Sequence, residues 1–483
     1  MRRPTQEEST YELQHLSGNM GLFRSRQEYQ PVRGDVDADA ERDDESARDG
    51  SETETMVEAP FSWLEYMIFL LLGIAMLWAW NMFLAAAPYF QKRFSSSQWI
   101  LNHFQAAEVS VSTITNLGSM IILTKLQKGA SYPKRISSSL SINIVVFAIL
   151  ALSTLIRTSA GVYFGFLLVA ILFASFSTGL IQNGLFSYAS GFGRSEYTQA
   201  IMTGQAVAGV LPPLAQIISV LAVPTKKNKD GDGADATDAS PKSAFVYFLT
   251  ATGVSVLALL AFLYLLRREA NTLALRSAAK ATGDGASEGD ALTGAPRTSS
   301  QSEPGAETND RRSVPLSTLF GKMPFLSTAV FICFAVTMVF PVFTASILSV
   351  NNIDSAIFIP TAFLLWNIGD LVGRLVTLWP KISLTHYPFA LFCLAMARLL
   401  FIPLYFLCNI KNKGAAISSD FFYLVIVQFL FGMSNGYLGS ECMMGSGEWV
   451  LPEEREAAGG FMGLMLVGGL TVGSLLSFLL GDI

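Results

Sequence analysis

Apolar residues in this chain come in long blocks rather than in an alternating or helical-period pattern. Eleven largely apolar blocks run at roughly 61–90, 104–125, 136–156, 162–188, 198–223, 243–266, 324–349, 355–379, 386–408, 420–445 and 457–481. A block of about 20 such residues, wound as an α-helix, crosses the hydrocarbon core of a bilayer. Only helices and closed barrels satisfy their own backbone there. The pattern therefore predicts an all-α polytopic membrane protein with 11 transmembrane helices.

The polar stretches between the blocks divide the chain. Residues 1–58 form a polar, acidic segment poor in aromatics, the composition of a disordered tail. Residues 224–243 read as a flexible hydrophilic loop. Residues 267–323 are a longer linker rich in Gly, Ser, Ala and charge. The expected organisation is a tail (1–58), a six-helix half (59–266), a linker (267–323) and a five-helix half (324–483). Six spans, a long linker and five more is the layout of transporters built from two pseudo-symmetric halves. A seven-span receptor would not have it.

Composition sharpens this picture. The 483 residues have a mean hydropathy of +0.41 and only 15% charged residues, against about 25% for a soluble protein. The tail alone holds 15 Asp/Glu and 7 Lys/Arg, a net of −8, while the whole chain is −5. The rest therefore carries +3, and the acidic balance describes the tail. It gives no ground for a nucleic-acid partner. Cys333, Cys393, Cys408 and Cys442 lie in or beside apolar runs without metal-type spacing and read as small buried hydrophobes. No phosphate-binding Gly-rich loop of the Walker type is present, which argues against an ATP-driven pump. A carrier that makes and breaks no bond is not an enzyme and implies no cofactor or metal.

Loop charge orients the chain mildly. With the tail and linker in the cytosol, Lys125, Lys128, Lys134 and Arg135 fall on that side, and Lys226, Lys227, Lys229 and Lys242 fall outside. The first span would act as its own insertion signal. "YQPV" (Tyr29–Val32) fits a short tyrosine-based sorting pattern.

Polar residues inside spans carry the candidate chemistry, because each is expensive in lipid. In "WNIGDLVGRLVTLWP" (Trp366–Pro380), Asn367, Asp370 and Arg374 stand at i, i+3 and i+7 and form one stripe. Asp370 and Arg374 are four apart and can pair. The pair either fixes helix packing or presents a fork of donors and a carboxylate to a polar solute at the midplane. In "WAWNMFLAAAPYF", Trp80 and Asn81 lie well inside the first span, as interhelix glue or as an aromatic wall with an amide. Gln182 and Asn183 sit in the fourth block, and periodicity does not say which faces a pore. "GQAVAG", with Gly204 and Gly209, and the glycine-rich Gly463–Phe478 read as close helix packing. Arg398 reads as structural. Glu108 and Glu441 are intramembrane carboxylates that either titrate with transport or, for Glu441, pair with Arg398.

Taken together, these residues resemble the equilibrative nucleoside transporter family, in a fungal-type form. The likeness covers roughly residues 60–480. It rests on "WNMFLAAAPYF", "QAIMTGQAVAGV", "WNIGDLVGR", "FLFGMSNGYLGS" and "EREAAGGFMGLMLVGGLTVGSLLSF", in that order. The resemblance implies a major-facilitator-like 6+5 fold, a cytosolic N-terminus, a monomer in the bilayer, and facilitative diffusion of nucleosides, sometimes nucleobases, by alternating access. A proton-coupled symporter on the same fold is the alternative. Carried over position by position, Trp80, Gln182, Asn367, Asp370 and Arg374 match cavity-lining residues, and Leu77, Leu84 and Leu470 match cavity-wall positions. The base would rest on the apolar wall and the glutamine, and the ribose hydroxyls on the aspartate–arginine pair. Two departures stand out: Ala79 replaces the family's usual Pro before the first-span Trp, and Glu441 replaces a hydrophobic residue. Acidic tail and loops in fungal style imply a vacuolar or other endomembrane location.

Overall fold

The structure, a computed structural model, describes residues 61–222, 241–283 and 313–477. The acidic tail with its Tyr29–Val32 pattern, most of the 224–243 loop, residues 284–312 of the linker and the last six residues lie outside them. Eleven helices among the described residues are long and apolar enough to span a bilayer. They are α1 (Trp63–Phe94), α2 (Gln98–Lys125), α3 (Tyr132–Ser153), α4 (Ala160–Gly191), α5 (Ser195–Ile218), α6 (Pro241–Thr272), α7 (Pro324–Ser346), α8 (Ser355–Val376), α9 (Pro388–Phe406), α10 (Phe422–Glu448) and α11 (Pro452–Ser477). Each coincides with one apolar block of the sequence. The helix containing α6 continues to Gly283, and a short helix, Leu316–Lys322, precedes α7. We call the face where α1 begins proximal and the opposite face distal, so odd-numbered spans begin proximally.

Local sequence explains the breaks. Within α1 one helix, Trp63–Ala85, runs straight through Ala79, where a proline would have cost a backbone bond. The interruption comes later, at Ala86, and a second segment, Ala87–Phe94, opens with Pro88 in its first turn. The Asp354 carboxylate caps α8 by accepting from the Ala356 N–H at 2.9 Å. The start of α10, Phe422–Phe429, winds as a π-helix. That winding turns Gln428 into a sealed cluster: Nε2 donates to Thr344 Oγ1 (2.7 Å) and Tyr423 Oη (2.6 Å), and Oε1 accepts from Tyr405 Oη (3.1 Å).

Glycines set the helix crossings, because lipid supplies no hydrophobic drive between spans and backbones must approach closely. A Cβ on Gly73 would lie 2.2 Å from Ile201 O, and one on Gly204 2.1 Å from Leu70 O, so α1 and α5 cross backbone to backbone. The counterpart crossing in the second half, α7 with α11, uses Gly469 against Phe331 O and Gly473 against Ala335 O. Similarly, α2 meets α4 at Gly179, and α8 meets α10 through two interlocked G-x-x-x-G pairs. Gly369 and Gly373 face Phe429 O and Met433 O, while Gly432 and Gly436 face Trp366 O and Asp370 O. The repeated pairing is the pseudo-symmetry expected of a 6+5 arrangement.

On the distal face, Asp420 ties the loop after α7 to the loop before α10. It accepts from Ser349 Oγ (2.6 Å), Val350 N (2.9 Å) and Asn351 Nδ2 (2.9 Å). Burial pushes this carboxyl up, but those hydrogen bonds outweigh it and hold the group below the usual carboxylate range. A group with a lowered folded-state pKa stabilises the fold above its ordinary pKa and loses that contribution as pH falls through the folded value. Asp420→Asn is thus expected to cost ~1 kcal/mol at neutral pH. The melting curves of variant and parent should converge in strong acid. A gap that persists there would refute the carboxylate's role.

Candidate functional site

Span α8 places the polar stripe. Asn367 lies near the middle of the helix Ser355–Val376, while Arg374 lies two residues from its proximal end. The Asp370–Arg374 pair therefore sits proximal to the midplane position expected for it. Both side chains are buried, at 4% and 5% exposure. Arg374 Nε donates to Asp370 Oδ2 at 2.8 Å. The second carboxylate oxygen, Oδ1, accepts from Asn435 Nδ2 of α10 at 2.7 Å. Arg374 Nη1 donates to the Met202 carbonyl of α5 at 2.6 Å, and the Arg374 carbonyl accepts from Gln199 Nε2 of α5 at 3.0 Å. The pair thus joins the two halves of the molecule as well as two turns of one helix.

Asn435 is a residue the sequence reading did not single out. The interlocked glycines Gly432 and Gly436 bring it against Asp370, and its Oδ1 accepts from Thr337 Oγ1 of α7 at 2.6 Å. Its only sequence signal is an Asn between two glycines in an apolar block, "GMSNG". Thr337 in turn accepts from Arg398 Nη2 at 3.1 Å. Arg398 is 2% exposed and spends its other donors on Cys333 O, Cys333 Sγ and Ser434 Oγ, with its guanidinium 4.7 Å from the Phe431 ring centroid.

Of the two readings open for Glu441, its pairing with Arg398 does not occur. Glu441 lies near the proximal end of α10, where its Oε2 accepts from Ser383 Oγ (2.9 Å) and Leu384 N (2.7 Å). It anchors the loop between α8 and α9. Arg398 instead packs around Cys333 and Ser434, two turns of α10 further toward its distal end. Glu108 is 7% exposed, and its Oε1 has no hydrogen-bond partner. Cys393 also differs from expectation. It is exposed on α9, because it falls on the side of that helix turned away from the bundle, while the other three cysteines are buried.

In α4 the two adjacent amides separate. Asn183 is 1% exposed, accepts from Arg135 Nη1 and donates to Thr124 Oγ1. Gln182 is 9% exposed, and its Oε1 has no partner. In α1, Asn81 Nδ2 donates to Ala208 O of α5 at 2.8 Å, which makes it a strut between spans. Leu77, Trp80 and Leu84 share one face of α1; the first two are half-buried and Leu84 is 55% exposed. Asn367 Nδ2 donates within its own turn to Phe363 O (2.8 Å), and its Oδ1 points to α5 at Gly209. On α11, Gly463 faces Phe186 and Gln182 O of α4. Half-buried Leu470 lies seven residues further along, on the same face.

Contacts between the halves run from Asn367–Gly209 at mid-length to the proximal face. There Gly459 meets Phe186 O, Gly460 meets Ser187 and Asn183, Glu456 packs on Gly191 and Arg455 on Gly193. The seam is closed proximally by these contacts.

Two helical halves of six and five spans, sealed on one side around buried polar groups, define a multi-pass membrane protein with a major-facilitator-like fold. A crystal structure of the major facilitator superfamily transporter FucP in the outward conformation shares the fold. It superposes with a TM-score of 0.52 at 15% identity, over 86% of this chain and 97% of that one. A sequence profile described as nucleoside transporter matches residues 168–481. Equilibrative nucleoside transporter 1 of Mus musculus is 30% identical over 465 residues, covering 86% of this chain and 96% of its own. Nucleoside transporter FUN26 of Saccharomyces cerevisiae is 29% identical over 452 residues, covering 86% and 83%. The chain belongs to the nucleoside transporter family.

Proposed function

We propose that this chain carries nucleosides across a membrane by facilitative alternating access, with the Asp370–Arg374 pair forming the proximal floor of the substrate site. The observation that carries the reading is the bond from Arg374 to Met202 O: the charge expected to meet substrate is the same one that latches α8 to α5. Leu77, Trp80, Leu84 and Leu470 form the apolar wall for the base. The unpartnered Gln182 Oε1 and the Asn367 amide receive the base's donors. Ribose hydroxyls reach Asp370 and Arg374 by taking the places of Asn435 and Met202. Substrate that draws Arg374 away from Met202 weakens the proximal seam, and this differential interaction is what a ligand needs to shift a two-state equilibrium.

The proximal face is cytosolic in this reading, the protein acts as a monomer, and its membrane is an endomembrane of vacuolar type. That compartment rests on the fungal-style tail and loops alone.

Proteoliposome uptake tests the mechanism. Labelled uridine or adenosine should equilibrate to the same level with or without a pH gradient, and unlabelled nucleoside on the far side should accelerate exchange. Glu441 bonds a loop backbone, so Glu441→Gln should equilibrate uridine to the parent level. Accumulation above equilibrium that needs an inward proton gradient, and that Glu441→Gln or Glu108→Gln abolishes, would replace this reading with symport.

A further inference from the structure

We propose that a groove between α3 and α4 at the distal face binds the acyl chain of an anionic phospholipid whose headgroup is held by a basic rim. The groove encloses about 420 Å³ and is lined by Ile149, Leu152, Ile156, Val162, Tyr163 and Phe166, with Ser153 and Thr158 at its upper end. That volume lies within the range of about 300–1,000 Å³ typical of ligand pockets. Leu152, Ile156 and Val162 are each more than half exposed, so the groove opens sideways into the bilayer and not into the seam between the halves. Ile149 lies four residues before the end of α3 and Phe166 six after the start of α4. At 1.5 Å per residue the groove therefore reaches ~6–9 Å below the loop, the depth of the upper part of a lipid tail.

The rim carries the sign that selects the headgroup. Arg93 lies with its guanidinium 3.9 Å from the Tyr163 ring centroid and donates to Ile156 O and Thr158 Oγ1, so it roofs the groove. Its Nη1 donates to Tyr89 Oη at 3.0 Å, and its Nε–H is buried without a partner. Arg157, between the groove residues Ile156 and Thr158 in the chain, and Lys92, next to Arg93 in the chain, are both exposed. Neither the segment 91–97 nor the segment 154–159 contains an acid. Three cations therefore gather where an apolar groove meets the headgroup layer, the combination that recognises anionic lipid.

The test uses the full chain, purified in detergent, stripped of lipid and exposed to micelles holding equal amounts of phosphatidylglycerol and phosphatidylcholine with matched chains. Native mass spectrometry then counts retained lipid. The parent should retain phosphatidylglycerol preferentially. Lys92→Gln and Arg157→Gln should each reduce that preference about fivefold, the equivalent of about 1 kcal/mol per basic residue near the surface. Leu152→Trp, which fills the groove, should abolish retention although the basic rim is intact. Each variant, reconstituted in proteoliposomes, should keep the parent's nucleoside exchange, which shows that it is folded. Equal retention of the two lipids, or retention that survives Leu152→Trp, would overturn the proposal. So would a neutral sterol displacing the phospholipid at equal concentration.

Discussion

Arg374→Ala is expected to lose nucleoside exchange by well over tenfold and to destabilise the fold as well. The substitution removes the Nε bond to Asp370 and the Nη1 bond to Met202 in one step. Asp370, at 4% exposure, is left with Asn435 as its remaining partner. Removing one member of a buried pair typically costs about 3–5 kcal/mol, because the other charge stays desolvated. A loss of function in this variant alone therefore does not separate binding from folding. The double replacement Asp370→Asn with Arg374→Gln does. It keeps an amide at both positions and removes both charges, so no buried charge is left unpaired, and the shorter Gln gives up the bond to Met202 O. Thermal melting should stay near that of the parent while counterflow of labelled uridine falls. A double variant that is well folded and exchanges uridine normally would show that the charges only hold α8, and the assignment of Asp370 and Arg374 to substrate would fail. Arg374→Lys adds a gradation: one ammonium cannot serve Asp370 Oδ2 and Met202 O in the fork geometry of a guanidinium, so partial activity is expected.

Much of this arrangement is legible in the chain because the bilayer is a strict selector. Unbroken apolar blocks of spanning length satisfy their backbone in lipid only as helices, so they translate directly into α1–α11. Two charges in such a block must compensate, so the spacing of Asp370 and Arg374 already implies their bond. Less is legible where a contact depends on how helices meet. "GDLVG" and "GMSNG" share the same glycine spacing, but nothing in either stretch says that they interlock with each other and so carry Asn435 to Asp370 Oδ1. Gly209 read as packing, and it is; that it faces Asn367 of the other half is a property of the assembled seam. Glu441 shows the opposite error. A carboxylate and an arginine in neighbouring apolar blocks invite pairing, but the nearest donors to Glu441 are a serine and a backbone N–H in a loop that hydropathy leaves blank. The Met202 carbonyl is invisible for the same reason: a backbone acceptor has no residue signature.

The seam supplies the second large effect. Gly459→Val should leave the protein folded and monodisperse yet reduce exchange at least tenfold, because it obstructs a contact that only one conformation makes. A Cβ at Gly459 would lie 2.4 Å from Phe186 O and 2.4 Å from Ser190 Oγ, and the carbonyl belongs to the helix backbone of α4. Within a half, as at Gly73 against Ile201 O, such a clash persists in every state and must destabilise the fold. Between halves it can be relieved by separating them, so the cost falls on the proximally closed conformation alone. Interfaces of this kind are bistable and do not deform continuously, so the population should move to the proximally open state and stay there. Shifting such an equilibrium from 1:99 to 99:1 takes about 5.5 kcal/mol, which two contacts far below van der Waals distance readily exceed. The readout is accessibility: a single cysteine placed on Ser187 or Ser190, in a background whose native cysteines are replaced, should react with a charged thiol reagent from the proximal side faster in Gly459→Val than in the parent. Gly73→Val, built as the control, should instead fail to accumulate as folded protein. If Gly459→Val exchanges uridine at the parent rate, then α4 and α11 do not need this close approach during the cycle, and the closed proximal seam is not a state the carrier must visit.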